Sequence, residues 1–129
     1  MLQKLIINET PITPAIHFDK EKEIFKMHGK SIPSNSAEFY RPIFEWLEEY
    51  LKEPNESTIF QIDISYFNSS SALHLAQILD FLQKIIKKGK KVLIKWYFEE
   101  GDDDILESGE EMAELFNIPI ELIPIEHKN

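Results

Sequence analysis

The side chains best placed to do chemistry form one short run, Asn68-Ser69-Ser70-Ser71, lying between the strand-like Ile62-Asp-Ile-Ser-Tyr-Phe67 and a long apolar segment. Alcohols at a strand-to-helix turn can accept a phosphoryl group. The product anion would meet unpaired backbone N–H groups and the positive end of the helix dipole. The same residue types also cap helices, and that role accounts for them without any modification. Nucleophilic catalysis fits less well. No Gly-x-Ser-x-Gly turn is present, and the nearest imidazole, His74, lies inside the expected helix.

A second chemical feature is acidic. From Glu99 to Glu114 the chain carries nine carboxylates and no basic residue. Calcium-loop spacing is absent, because Ile105 interrupts the ligands and no Gly holds the turn position. A solvated face or a docking surface fits better, since clustered charge speeds encounter and rejects wrong partners. His17, His28, His74 and His127 show no metal-ligand spacing, and with no cysteine there is no thiolate site and no disulfide. Four glycines make no phosphate-cradling loop. Neither metal nor cofactor is expected.

These residues need a scaffold, and the apolar periodicity supplies one. Thr58 to Phe67 is β-branched and aromatic without Gly or Pro, as in a buried strand. From Leu75 the period changes: Leu75, Ile78, Leu79, Leu82, Ile85 and Ile86 form a helical stripe facing a sheet. Asn68 to Ser71 is then the turn into that helix. Leu73 does not fit the stripe: at about 100° per residue it falls among Asp80 and Lys84, so it either touches a partner or tucks under a loop. Upstream, Leu2 to Ile7 reads as a short strand, and Ala15 to Phe18 with Ile24 to His28 as a hairpin ended by Gly29. Asn35 with Glu38 has capping-box spacing, predicting a helix whose face is Phe39, Ile43, Trp46, Leu47, Tyr50 and Leu51, bent or delayed by Pro42. Downstream come a strand over Val92 to Phe98, an acidic loop over 99–104 and a short helix over Ile105 to Asn117. Leu106, Met112, Leu115 and Phe116 should be its buried side, with Gly109 weakening it; a last strand spans Pro119 to Ile125.

The order is β-β-β-α-β-α-β-α-β, an α/β (α+β) mixed sheet in one domain over residues 1–129. Strands joined by crossover helices run parallel, so residues 30–36, 67–71 and 99–104 should share the carboxyl rim, the binding edge of open α/β sheets. The composition limits what could bind there. A net charge of -9 repels nucleic acid and anionic membranes. No membrane-length or signal-like apolar run occurs, which makes the cytoplasm the expected location.

Four strings in order, Thr10-Pro-Ile-Thr-Pro-Ala-Ile16, Gly29-Lys-Ser-Ile-Pro-Ser-Asn-Ser-Ala-Glu-Phe-Tyr40, Tyr66-Phe-Asn-Ser-Ser-Ser71 and Trp96-Tyr-Phe-Glu-Glu-Gly-Asp-Asp-Asp104 with Ser108-Gly-Glu110, resemble the SiaC family of regulatory phosphoproteins. The resemblance implies a fold like the STAS domains of anti-sigma-factor antagonists, and a switch without catalysis of its own. It implies phosphorylation within the Tyr-x-Asn-Thr-Ser-Ser motif by a partner serine/threonine kinase, reversal by a metal-dependent phosphatase, and binding and activation of a diguanylate cyclase by the unmodified form. The acceptor falls on Ser69, where Ser replaces the usual Thr, with Ser70 the alternative. Asn68, Ser70, Ser71, Leu73, Asn35, Asp102, Asp103 and Asp104 would form the partner surface. Two other readings stay open: an anti-sigma-factor antagonist with the same fold and switch, and a small hydrolase or ligand carrier using the rim as a pocket.

Overall fold

A computed structural model describes residues 2–126. Its element order is β1 (Leu5–Ile7), β2 (Ala15–Asp19), β3 (Ile24–Ser31), α1 (Ser36–Lys52), β4 (Ser57–Phe67), α2 (Ser69–Lys87), β5 (Lys91–Glu99), α3 (Asp103–Phe116) and β6 (Ile120–Ile125). The sheet runs β1-β2-β3-β4-β5-β6, so sequence neighbours are also spatial neighbours. β1, β2 and β3 pair antiparallel, and β3 through β6 pair parallel. The mixed α/β sheet with three helices has the expected order.

A parallel sheet built strictly in sequence, with right-handed crossovers, places every helix on one face. Burial alternates accordingly. Thr58, Phe60, Ile62 and Ile64 are buried on the helix side, whereas Ile59 on the other side is 45% exposed. β4 is therefore half-buried, not buried on both faces, because no helix among the described residues covers its back. The core lies between sheet and helices. At its β2–β4 end Phe18, Phe25, Trp46, Tyr50 and Phe60 pack ring against ring, with neighbouring centroids 5.0 to 6.4 Å apart. Such tilted, edge-on and stacked contacts each add about 0.5–1.5 kcal/mol beyond area burial.

Several boundaries differ from those read along the chain. β3 does not end at Gly29. It continues to Ser31 through a register shift after Gly29, which sits at φ 128°. Opposite that shift β4 carries one extra residue, since Gly29 pairs with Ile64 but Lys30 with Tyr66. One inserted residue reverses side-chain parity. Tyr66 consequently turns to the open face, 56% exposed, while Phe67 meets the buried Trp96 edge-on at 6.5 Å.

α1 starts at Ser36, neither delayed nor interrupted by Pro42. Proline leaves the Glu38 carbonyl without its amide donor, and both residues are exposed, where water can serve. Tyr40, missed in the helical stripe, is fully buried, whereas Phe39 and Leu51 are only partly so. In α3 the buried face is Ile105, Gly109 and Ala113, and Leu115 is 75% exposed. Gly109 is the reason for that rotation: a Cβ there would lie 2.7 Å from the Trp96 ring, so glycine lets the helix close onto the indole. Trp96 completes the contact by donating its indole N–H to the Ile105 carbonyl at 2.9 Å.

Candidate functional site

β3, β4 and β5 run parallel and end at Ser31, Phe67 and Glu99, which brings three connections to one rim: residues 32–35, Asn68 and residues 100–102. The centre is α2's first turn. The helix begins at Ser69, one residue after β4's end region, so the three serines are its opening turn and not a loop before it. Asn68 is the cap. Its Oδ1 accepts the Ser71 amide at 2.9 Å, its own amide donates to the Ser31 carbonyl at 3.2 Å, and its carbonyl accepts the Ala72 amide at 2.9 Å. These bonds satisfy the polar groups that a strand-to-helix junction would otherwise strand.

The three serines now separate. Ser69 and Ser70 are exposed. Ser71 is fully buried, and its Oγ accepts from the Ser31 hydroxyl at 2.7 Å. Ser31 has one proton and spends it there, so the Tyr40 hydroxyl donates to Ser31 across 2.6 Å. This buried relay links β3, α1 and α2 beneath the turn. Burial, partly offset by its bonds to Ser31 and Ser71, pushes the Tyr40 hydroxyl above its ordinary pKa. Ser71, expected at the partner surface, therefore belongs to the interior: its face of the helix points at Tyr40.

The other expected residues divide similarly. Leu73 is 70% exposed and Tyr66, which the periodicity did not single out, is 56% exposed; in the chain these two large apolar side chains lie on either side of the serine turn. Asn35 lies on the rim as the N-cap of α1, accepting the Glu38 amide at 3.2 Å and donating to the Glu38 carboxylate at 3.3 Å. α1 and α2 also touch there, Ser36 Oγ to His74 Nε2 at 3.1 Å. Asp102 caps α3 through the Ile105 amide at 3.2 Å, and Asp103 and Asp104 are exposed in that helix's first turn, not in a loop. Carboxylates there complement the helix dipole, so part of the acidic run has a structural task.

Among the described residues no base is poised on Ser69. His74 spends Nε2 on Ser36 and Nδ1 on Gln77 at 2.8 Å, and its ring stacks on Tyr40 at 4.9 Å. On the open face, His28 has Asp63 at 2.9 Å on Nδ1 and Glu9 at 3.7 Å on Nε2, while Ser65 points to the Gly29 carbonyl at 3.5 Å. A carboxylate occupies the place where a nucleophile would have to sit. Among the described residues no group of three His, Cys, Asp or Glu could hold a metal, and no helix is long and apolar enough to cross a membrane. His127 lies outside the described residues.

Comparison with known proteins decides the class to which this rim belongs. The sequence model of the SiaC family regulatory phosphoproteins matches residues 7–125. The chain belongs to the SiaC family. Members of this family are regulatory, and the chain is a regulatory protein and not an enzyme. A curated relative, an uncharacterised protein of Pseudomonas aeruginosa strain UCBPP-PA14, is 29% identical over 118 residues, covering 92% of this chain and 94% of its own. SiaC of Pseudomonas aeruginosa superposes with a TM-score of 0.86 at 27% identity, over 95% of this chain and 99% of that one. A chain in the crystal structure of diguanylate cyclase SiaD in complex with its activator SiaC, from the same organism, also gives 0.86, at 28% identity over 94% and 99%. In this chain the rim, the capped serine turn and the acidic helix start are set on a fold shared with those structures.

Proposed function

We propose that this chain is a phosphorylation-controlled binding switch acting in the cytoplasm, with Ser69 as the acceptor and Ser70 as the alternative. A serine/threonine kinase adds the phosphate and a metal-dependent phosphatase removes it. The unmodified form docks on a diguanylate cyclase and activates it, through Asn68, Ser70, Leu73, Asn35 and the Asp102–Asp104 turn. The observation that carries this reading is the division of labour at the turn: Asn68 caps the helix and Ser71 is locked in the core, which leaves the exposed Ser69 hydroxyl with no structural task among the described residues. The complex of a family relative with a diguanylate cyclase supports the choice of partner.

Phosphate on Ser69 would bring about -1.5 to -2 charges to a helix N-terminus, where N–H groups receive it. The chain's single arginine, Arg41, gives no clamp to fold the anion inward. The group stands out beside exposed Leu73 and Tyr66 and blocks the docking of an apolar contact there. Incubation with a kinase-containing lysate and ATP should add one phosphate, mapped to residue 69 or 70. Ser69→Ala protein should retain and stimulate a diguanylate cyclase, and the phosphorylated protein should not. Native protein that never carries phosphate at either serine, or a cyclase indifferent to it, sinks the reading.

A further inference from the structure

The end of the molecule opposite the rim carries a different surface. α2 finishes there, β5 begins, and the turn from α3 to β6 crosses between them. These elements leave an open apolar groove lined by Ile86, Val92, Ile118 and Pro119, with Lys90 and Lys91 on its margin. Lys90 is engaged by Glu56, which Lys91 also attracts at longer range, and Lys84 by Asp80, but Lys87 and Lys91 are exposed and make no close ion pair among the described residues. Two residues before the groove wall at Asn117 stands Leu115, 75% exposed, more than any other large apolar side chain among those described. Next to it on α3, Glu111 and Glu114 are exposed and likewise make no ion pair among the described residues.

One end therefore presents a knob, a hole and unspent charge of both signs. That is the requirement for a two-fold contact, in which the same patch on each copy must complement itself. We propose that two copies of this chain associate through this end, Leu115 of each seated in the other's Ile86–Val92–Ile118 groove, with Glu111 and Glu114 facing Lys87 and Lys91. A head-to-tail contact between the lysines and the acidic rim would leave Leu115 bare and extend into a filament. The self-complementary contact closes at two copies. It also leaves the acceptor turn of each copy free, at the far end of its sheet.

Sedimentation of the purified full chain over a range of concentrations tests this. The expected result is a species of twice 15.2 kDa that dissociates on dilution and on addition of salt. Leu115→Asp should weaken the association by about tenfold or more. The double variants Lys87→Glu with Lys91→Glu and Glu111→Lys with Glu114→Lys should each be monomeric alone, yet pair when mixed, because opposite charges then face each other. All five side chains are exposed, so circular dichroism should be unchanged. A chain monomeric at every concentration, a dimer indifferent to Leu115→Asp, or charge variants that fail to pair on mixing would overturn the proposal.

Discussion

At the scale of single residues, the serine turn separates two roles that share a chemistry. Capping belongs to Asn68, so Asn68→Ala should lower stability by about 1 kcal/mol, as N-cap losses do, whereas Ser69→Ala should leave the melting temperature nearly unchanged. Thermal melts of the two variants check this; a large loss in Ser69→Ala would mean that its hydroxyl supports the fold. The run of hydroxyls could be read along the chain, but its division could not. Which serine is buried depends on Tyr40 and Ser31, which come from elements remote in sequence and meet only across the core. The same burial has a pH signature. Tyr40 and Tyr50 are both held above the ordinary tyrosine value, chiefly by desolvation. An unfolded tyrosine ionises near pH 10 and these do so only at higher pH, so the unfolded state releases protons first. Their stabilising effect is full below about pH 10 and lost as pH rises through the folded values. Alkaline denaturant titrations should show a steep fall above pH 10 that is shallower in Tyr40→Phe, and a slope equal to wild type would show that Tyr40 contributes none of it.

At the scale of elements, periodicity found every strand and helix but misjudged what faces inward wherever a small residue or a bulge intervened. α3 shows why. Counting only large apolar residues places Leu115 inside and treats Gly109 as a weakness, yet the helix packs through Gly109 because Trp96 fills the space a side chain would need. Gly109→Ala should therefore destabilise the protein by about 1–3 kcal/mol, the range for overpacking, although alanine is the better helix former. Chemical denaturation is the measurement, and a stabilised variant would mean that α3 can shift away from Trp96 at little cost. The end of β3 escaped for a related reason. A glycine reads as a terminator, but here, at φ 128°, β3 keeps its alternation through it and carries Ser31 into the relay, while the extra residue opposite, in β4, turns Tyr66 outward. The rim itself was readable, because parallel connection order alone brings the three strand ends together.

At the scale of the whole molecule, charge is sorted along the strand axis. The start of α3 is acidic at the rim, whereas at the opposite edge the lysines at the end of α2 offset neighbouring carboxylates, so the field of the -9 net charge is weighted toward the rim and is not an even shell. Such a field steers a partner toward one end and acts on the rate of encounter more than on the lifetime of the complex. Asp103 and Asp104 are the residues with which to test it, because Asp102 does the capping and can be left in place. Asp103→Asn with Asp104→Asn should slow association of the protein with the diguanylate cyclase proposed as its partner and flatten the dependence of that rate on ionic strength, while dissociation changes little. Each substitution removes a carboxylate from a helix's positive end, so about 0.3–1 kcal/mol of stability should go with it. Stopped-flow association at two salt concentrations separates these effects. If the acidic turn only stabilises its helix, the melting temperature will drop and the association rate will keep its salt dependence; if the turn guides docking, both will change together.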